Sequence, residues 1–248
     1  MTRRRADLFL VEHGFFESRA RARAAIESGL VFADGRPVRK PSEEIADGAQ
    51  IRASAPHPWV SRGGLKLVAA LDAFGFDPNG KVCLDIGAST GGFTQVLLDR
   101  GARRVHAVDV GHGQLHARVR DDPRVTMREG FDARNLTAAD FMDAEGVVDL
   151  PQLLVCDVSF ISLALVLPKV FALAAPGAQA VLLVKPQFEA GPARVSKGVV
   201  RDQRVHEEVC ANVTALVEKL GWRCIGLIPS PIEGGDGNKE FLLGAELG

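Results

Sequence analysis

The sequence predicts an α/β protein: a doubly wound, mostly parallel sheet of seven strands, preceded by a small α+β module. Three observations predict it. From residue 81 onward, short apolar runs alternate with amphipathic segments, which is the order of a sheet covered by helices. The runs are continuously apolar, as in Val181-Leu182-Leu183-Val184, and strands buried on both faces require that. A glycine-rich turn within Leu84-Asp85-Ile86-Gly87-Ala88-Ser89-Thr90-Gly91-Gly92-Phe93-Thr94 joins the first run to a helix. Open α/β sheets bind ligands at such turns.

Whole-chain properties narrow the class. The 248 residues are 46% hydrophobic and 25% charged, ordinary for a soluble globular chain with room for one large domain or two unequal ones. No apolar run reaches the roughly 18 residues of a membrane span, so no membrane partner is expected. The N-terminus is basic but lacks the apolar stretch of a signal peptide, and a reducing cytoplasm is expected. Cys83, Cys156, Cys210 and Cys224 form no Cys-x-x-Cys pair, so no metal is expected. Cys83 and Cys156 lie in strand-like runs and read as small buried hydrophobes. Residues 1–66 hold 12 Lys and Arg against 8 Asp and Glu, a net +4 that leaves −5 for the rest. A basic front on an acidic body suggests that the front meets a polyanion.

The front module is expected over residues 1–55. Arg5 to Val11 has a short helical pattern. Ser18 is suited to cap a second helix, Arg19 to Glu27, with Gly29 just past its end. Leu30-Val31-Phe32 reads as a strand, Asp34-Gly35 as a tight turn, and Pro37-Val38 as the return strand. Pro41-Ser42 opens a loop, Asp47-Gly48 turns again, and Gln50-Ile51-Arg52 closes the unit.

That series, from Arg5-Ala6-Asp7 through Ser18-Arg19, Ile26, Gly29-x-Val31 and Asp34-Gly35 to Lys40-Pro41-Ser42 and Gly48-x-x-Ile51, resembles the S4 RNA-binding domain. The resemblance implies structured RNA on a basic helix face. Arg19 and Arg23 are i,i+4 neighbours with Arg21 partly aside, and Arg4 and Lys40 add charge nearby. Such cations would contact phosphates, which gives position rather than sequence.

Residues 56–62 are expected to link the two domains, with the proline-rich Pro56-His57-Pro58 as a stiff segment. Residues 63–248 form the large domain. After the Ser61-Arg62-Gly63-Gly64 loop, Leu65 to Phe74 reads as a helix with Leu67, Val68, Leu71 and Phe74 on its apolar stripe. Lys66 sits in its first turn, where the helix dipole disfavours a cation, and that misfit suggests a task. Next come strand Lys81–Ile86, helix Phe93–Arg100, strand Val105–Val110, a short helix near Leu115–Arg120, and strand Arg124–Arg128. Asn135-Leu136-Thr137 opens another expected helix. Strand Leu153–Asp157, helix Ile161–Leu173 and strand Ala180–Lys185 follow. A long loop leads to helix Asp202–Leu220. Strands Cys224–Pro229 and Glu240–Ala245 then close the sheet, the last pair including an antiparallel strand.

A dinucleotide site would show Gly-x-Gly-x-x-Gly. Here Asp85 precedes Gly87, and the paired glycines Gly91-Gly92 come later. Asp109 ends the second strand and suits two ribose hydroxyls. Carboxylates at both strand ends disfavour a phosphate and favour a ligand bearing a sulfonium and an ammonium. The combination resembles class I S-adenosylmethionine-dependent methyltransferases, whose Rossmann-like fold the element order matches.

Ionisable residues stand at further strand ends. Asp157 and Lys185 emerge at the ligand edge of a parallel sheet, and Glu240 joins them if the last strand is antiparallel. Lys66 precedes the first strand and can cover the pocket. The set Lys66, Asp157, Lys185, Glu240 resembles the Lys-Asp-Lys-Glu tetrad of FtsJ-like RNA 2′-O-ribose methyltransferases. A ribose hydroxyl is a poor nucleophile near neutral pH, and a lysine close to another cation or partly desolvated can accept or steer its proton. The resemblance implies Lys185 in that role, held by Asp157 and modulated by Glu240. Lys66 would stabilise developing negative charge.

The whole constellation includes the Trp59-Val60-Ser61-Arg62-Gly63-Gly64-x-Lys66-Leu67 join, Asp157-x-Ser-Phe-Ile-Ser and Lys185-Pro-Gln-Phe-Glu. Together these resemble the TlyA family across almost the full chain. That family, also called hemolysin A, comprises bacterial methyltransferases acting on cytidine 2′-hydroxyls of 23S rRNA and, in some members, of 16S rRNA. The resemblance implies S-adenosyl-L-methionine as cofactor and ribosomal RNA or ribosomal subunits as partner. It implies that Asp85, Gly87, Ser89, Gly91, Gly92, Phe93, Asp109, Asp132 and Asp157 line the donor pocket, with Asp132 next to the adenine. The Glu189–Gly198 stretch is either an RNA-facing lid or a plain loop. No Tyr occurs, so base stacking would use other rings, with Phe160, Phe188 and Trp59 placed for it. Two other classes stay open: an idle RNA-binding or assembly factor, and a pore-forming hemolysin.

Overall fold

A computed structural model describes residues 3–143 and 145–248. The chain divides into two compact units, Met1–Pro58 and Trp59–Gly248.

The first unit contains β1 (Arg3–Arg5), α1 (Ala6–Glu12), α2 (Arg19–Glu27), β2 (Val31–Ala33), β3 (Arg36–Pro37), β4 (Glu44–Ala46) and β5 (Ile51–Ala53). Its core is small: Phe9, Leu10, Ala25, Ile26, Val31 and Ile45 are all but fully buried. Ser18 caps α2 by accepting the Arg21 N–H, and Gly29 takes φ +71° just beyond the helix. Asp34 and Gly35, at φ +49° and +77°, make the tight turn between β2 and β3. One feature departs from expectation. The 41–48 stretch is not only loop and turn, because β4 pairs antiparallel with β1. All three β1 residues and Glu44 are exposed, so only Ile45 carries a buried-strand signal.

The second unit runs α3 (Gly63–Phe74), β6 (Val82–Ile86), α4 (Gly92–Asp99), β7 (Arg104–Val108), α5 (Ala117–Arg120) and β8 (Val125–Arg128). It continues with β9 (Leu153–Cys156), α6 (Leu163–Phe171), β10 (Gln179–Val184), α7 (Pro186–Glu189), α8 (Gln203–Lys219), β11 (Trp222–Pro229) and β12 (Phe241–Leu247). The seven-stranded sheet has the order β11-β12-β10-β9-β6-β7-β8. Strands β6 to β10 are parallel to one another, and β12 runs antiparallel to both β10 and β11. Alternate residues feed two cores: Leu84, Leu154 and Leu182 point into one, and Cys83, Val155 and Val181 into the other. Parallel order puts the ends of β6, β7, β9 and β10 at one edge. The antiparallel β12 brings its start, next to Glu240, to the same edge.

Two expectations are corrected. Asn135–Thr137 does not open an α-helix. Two separate 3-10 turns form instead, Ala133–Asn135 and Ala138–Phe141. Thr137 does cap, exchanging hydrogen bonds with Asp140, but the turn ends once Phe141 reaches the core. The expected long loop after β10 is partly ordered: α7 forms first, and Pro192–Arg194 makes a 3-10 turn. Cys83, Cys156 and Cys210 are buried, Cys224 is partly exposed, and all four are free thiols.

Candidate active site

The glycine turn after β6 needs glycine for distinct reasons at each position. Gly87 has φ +82°, and a Cβ there would lie 2.5 Å from the Asp157 carbonyl oxygen. The turn therefore presses directly against the end of β9. Gly91 has φ +93°, and a Cβ would strike Leu115 at 2.7 Å. A Cβ on Gly92 would reach Ser61 Oγ at 2.1 Å. Gly91 thus faces the packing of the segment before α5, while Gly87, Ser89, Gly92 and Phe93 line a cavity of 290 Å³. Ser61, Lys66, Asp157 and Glu240 line the same cavity.

Asp109 directly follows β7, which ends at Val108. Its carboxylate accepts the Ser89 N–H through Oδ2 and the Gly111 N–H through Oδ1, each at 2.7 Å. It faces a second cavity of 330 Å³, which shares Gly87 with the first and is lined by Phe131, Asp132, Phe160 and Val166. Asp132 is braced by Arg134 at 2.5 Å, and that guanidinium holds its carboxyl below the usual range.

Asp85 is placed differently. It is fully buried and lines neither cavity. Thr94 Oγ1 donates to its Oδ2 at 2.6 Å, and Oδ1 has no hydrogen-bond partner among the described residues. Burial is the main cause pushing its carboxyl up to about 7, against the Thr94 hydrogen bond, with the charges of Asp157 and Asp109 adding to the rise.

The four ionisable strand-end residues form two ion pairs. Lys185 Nζ lies 2.5 Å from Asp157 Oδ1 and donates to Ser159 Oγ at 2.8 Å. Lys66 Nζ lies 2.5 Å from Glu240 Oε2. Lys66, Lys185 and Glu240 are all buried. Glu240 therefore pairs with Lys66 and not with Lys185 as its modulator. The pairing also answers the misfit of a cation in the first turn of α3: a buried carboxylate neutralises it.

Several site residues escaped the sequence reading. A Cβ on Gly234 would lie 2.1 Å from Glu240 Oε1, so the carboxylate rests on that glycine. Asn238, 3% exposed, donates to the Gly198 and Gly235 carbonyls and accepts from Val200 N–H, tying two loops together beside Glu240. A polar residue in a Gly-rich loop carries no sequence signal of burial. Gln95 accepts the Val60 N–H at 2.7 Å. Trp59 is used in packing, its ring base seated where a Gly64 side chain would be. Phe160, in contrast, is 91% exposed at φ +64°, with its ring centroid 5.1 Å from that of Phe188.

In the first unit, the proposed RNA-facing cations divide. Arg19 is committed to Asp7 at 2.8 Å, and Arg4 to Glu12 and Asp47. Asp7 is fully buried, and hydrogen bonds from Arg5 and then Arg19 outweigh desolvation and hold its carboxyl down at about 2. Arg21 is half-buried, while Arg23 and Lys40 are exposed. The Arg52 guanidinium lies over the Phe32 ring, 4.4 Å from its centroid.

Among the described residues, no helix is long and apolar enough to cross a membrane, and no cluster of His, Cys, Asp and Glu is placed to hold a metal.

The pattern of the FtsJ-like methyltransferase family matches residues 59–247, and that of the S4 domain matches residues 4–51. The 16S/23S rRNA (cytidine-2'-O)-methyltransferase TlyA of Mycobacterium tuberculosis is 44% identical over 244 residues, covering 97% of this chain and 89% of that protein. Hemolysin A of Brachyspira hyodysenteriae is 39% identical over 96% of this chain and 98% of its own length. A solved structure of a hemolysin-named protein from Streptococcus thermophilus superposes with a TM-score of 0.76 at 43% identity, covering 100% of this chain and 89% of that one. With the S4 match, the methyltransferase match and these identities along nearly its whole length, the chain belongs to the TlyA family of FtsJ-like methyltransferases.

Proposed function

We propose that this chain transfers a methyl group from S-adenosyl-L-methionine to the 2′-hydroxyl of cytidine in ribosomal RNA, with 23S rRNA as substrate and 16S rRNA as a second one to be tested. The observation that carries this reading is the pair of buried Lys–carboxylate contacts, Lys66–Glu240 and Lys185–Asp157, at the edge of the glycine-turn cavity. A base-nitrogen acceptor has no need of two lysines, whereas a hydroxyl must lose a proton.

The residues present fit the donor. Each Asp109 oxygen has accepted one backbone N–H, and a carboxylate retains further lone pairs for a ribose diol. The apolar second cavity with Asp132 on its wall suits an adenine. Gly87, Ser89 and Phe93 would hold the amino-acid end. When bound, the donor supplies an electrophilic sulfonium methyl.

The chain's own residues supply the rest. Lys185, in its amine form, takes the proton of the 2′-hydroxyl, and Asp157 stabilises the ammonium that results. With the donor's methyl as the acceptor of the hydroxyl oxygen's electrons and its sulfur as the leaving group, Lys185 would pass the proton on to solvent. Lys66, fixed by Glu240, adds positive charge beside the oxygen. Phe160 and Phe188 offer rings to the target base, and Arg23 and Lys40 offer exposed cations to phosphates.

The test is 2′-O-methylation mapping of 23S and 16S rRNA, free and in subunits, after incubation with the purified chain and donor. Methylation that disappears in Lys185→Ala supports the reading. A Lys185→Ala variant with full activity removes Lys185 from its role. A wild-type chain that binds donor yet methylates no RNA favours the idle assembly factor.

A further inference from the structure

The chain crosses the site between β9 and α6 as a loop over residues 157–162. Asp157 begins it, Ser159 follows, and Phe160 stands at its crest. Phe160 occupies the left-handed region at φ +64° while 91% exposed. A side chain in that region is strained, and the strain persists only where the surroundings hold the backbone.

Two anchors hold it, and both come from one segment. At the front, Lys185 Nζ binds Asp157 and Ser159. At the back, Glu189 binds twice: Oε2 accepts from Ser162 Oγ at 2.6 Å, and Oε1 accepts from the Leu163 N–H at 2.8 Å. Lys185 is the cap of α7 and Glu189 its last residue, so one helical turn grips both ends of the loop. The loop also walls the second cavity through Val158, Ser159 and Ile161.

We propose that Glu189 is a positioning residue for methyl transfer: it fixes the back of the 157–162 loop, which keeps Ser159 and Asp157 on Lys185 and Phe160 at the rim. The proposal rests on the reading of Lys185 as the group that handles the hydroxyl proton. A carboxylate at the start of α6 also favours that helix. Capping alone, however, would affect stability and leave the environment of Lys185 unchanged.

Two substitutions separate these roles. In Glu189→Gln the amide oxygen can accept from Leu163 N–H while the amide nitrogen donates to Ser162 Oγ, so the geometry survives without the charge. In Glu189→Ala both bonds are lost. With purified full-length chains and rRNA, Glu189→Ala is expected to lower kcat about 10- to 100-fold. It should also move the pH profile of kcat and speed amide hydrogen exchange over residues 158–163. Glu189→Gln is expected to keep kcat within about threefold of wild type, with the wild-type pH profile. Ser162→Ala, which removes one of the two Glu189 bonds together with the Ala164 N–H cap of α6, should fall between. A wild-type chain that methylates no RNA overturns both the function and this inference. The inference alone is overturned if wild type methylates and Glu189→Ala stays within about threefold of it. It is equally overturned if Glu189→Gln falls as far as Glu189→Ala, or if Glu189→Ala loses activity only in step with its folded fraction at an unchanged pH profile.

Discussion

Lys66 Nζ and Glu240 Oε2 stand 2.5 Å apart, although 174 positions separate them in the chain. Both are buried, so removing one strands the other as an unpaired charge. Lys66→Ala is expected to lower the unfolding free energy by about 3–5 kcal/mol and to abolish methylation. The double variant Lys66→Met, Glu240→Gln should recover most of that stability and none of the activity. Urea unfolding alongside a methylation assay checks both. A double variant that methylates at the wild-type rate would mean the pair serves folding alone.

Gly234 makes a sharper probe of Glu240. Its backbone is ordinary, at φ −72°, so the nearest conflict an alanine introduces is with the Glu240 carboxylate, at 2.1 Å from Oε1 and 2.5 Å from Cδ. Gly234→Ala is expected to lower kcat about 10- to 100-fold by displacing the carboxylate. Donor affinity by calorimetry should hold. Gly235→Ala meets nothing within 4 Å and serves as the silent control.

Asp85 predicts a pH dependence of stability. Its folded-state carboxyl titrates near 7, above the 3.8 of a free aspartate. Between those values the folded chain holds a proton that the unfolded chain releases. Stability therefore falls as pH rises from about 4 to 7, by up to roughly 1.4 kcal/mol per pH unit from this group, and the loss is complete above 7. Asp85→Asn should flatten that slope. Unfolding free energies at pH 5 and pH 8 for both chains measure it; equal slopes would show that Asp85 does not titrate there.

Arg19 and Arg23 lie one helical turn apart on α2 and should fail differently. Arg19→Ala takes a hydrogen bond from the buried Asp7 and is expected to cost stability, by about 1–3 kcal/mol. Because Asp7 titrates near 2 when folded, its contribution is full above about 4 and lost as pH falls through 2. Arg23→Ala and Lys40→Ala should leave stability intact and weaken RNA binding, each lowering the salt slope of log K by about 1. RNA binding measured across a salt series, with thermal unfolding in parallel, separates the two groups.

Much of the large domain was legible because its strands are continuous apolar runs that nothing else explains. Ligand-edge residues were legible for the same reason: Asp109, Asp157 and Lys185 interrupt or end those runs. Partnerships were not. Nothing local to Lys66 shows that Glu240 will reach it, because that depends on β12 running antiparallel. Asp85 reads like Asp109 in the sequence, yet alternation turns it inward against Thr94. The β1–β4 pair was hidden because Arg3-Arg4-Arg5 has no apolar face, and Gly91 looked like part of the ligand loop although its neighbours are Leu115 and Val119.

Strand β12 occupies a slot between β10 and β11, both of which precede it in the chain. During synthesis the sheet must therefore wait, with one interior place vacant, until Phe241–Leu247 has left the ribosome. Glu240 arrives with that strand. Neutralisation of Lys66 and completion of the sheet thus depend on the same few residues, and a chain truncated before residue 240 lacks both the interior strand and the carboxylate that pairs with Lys66.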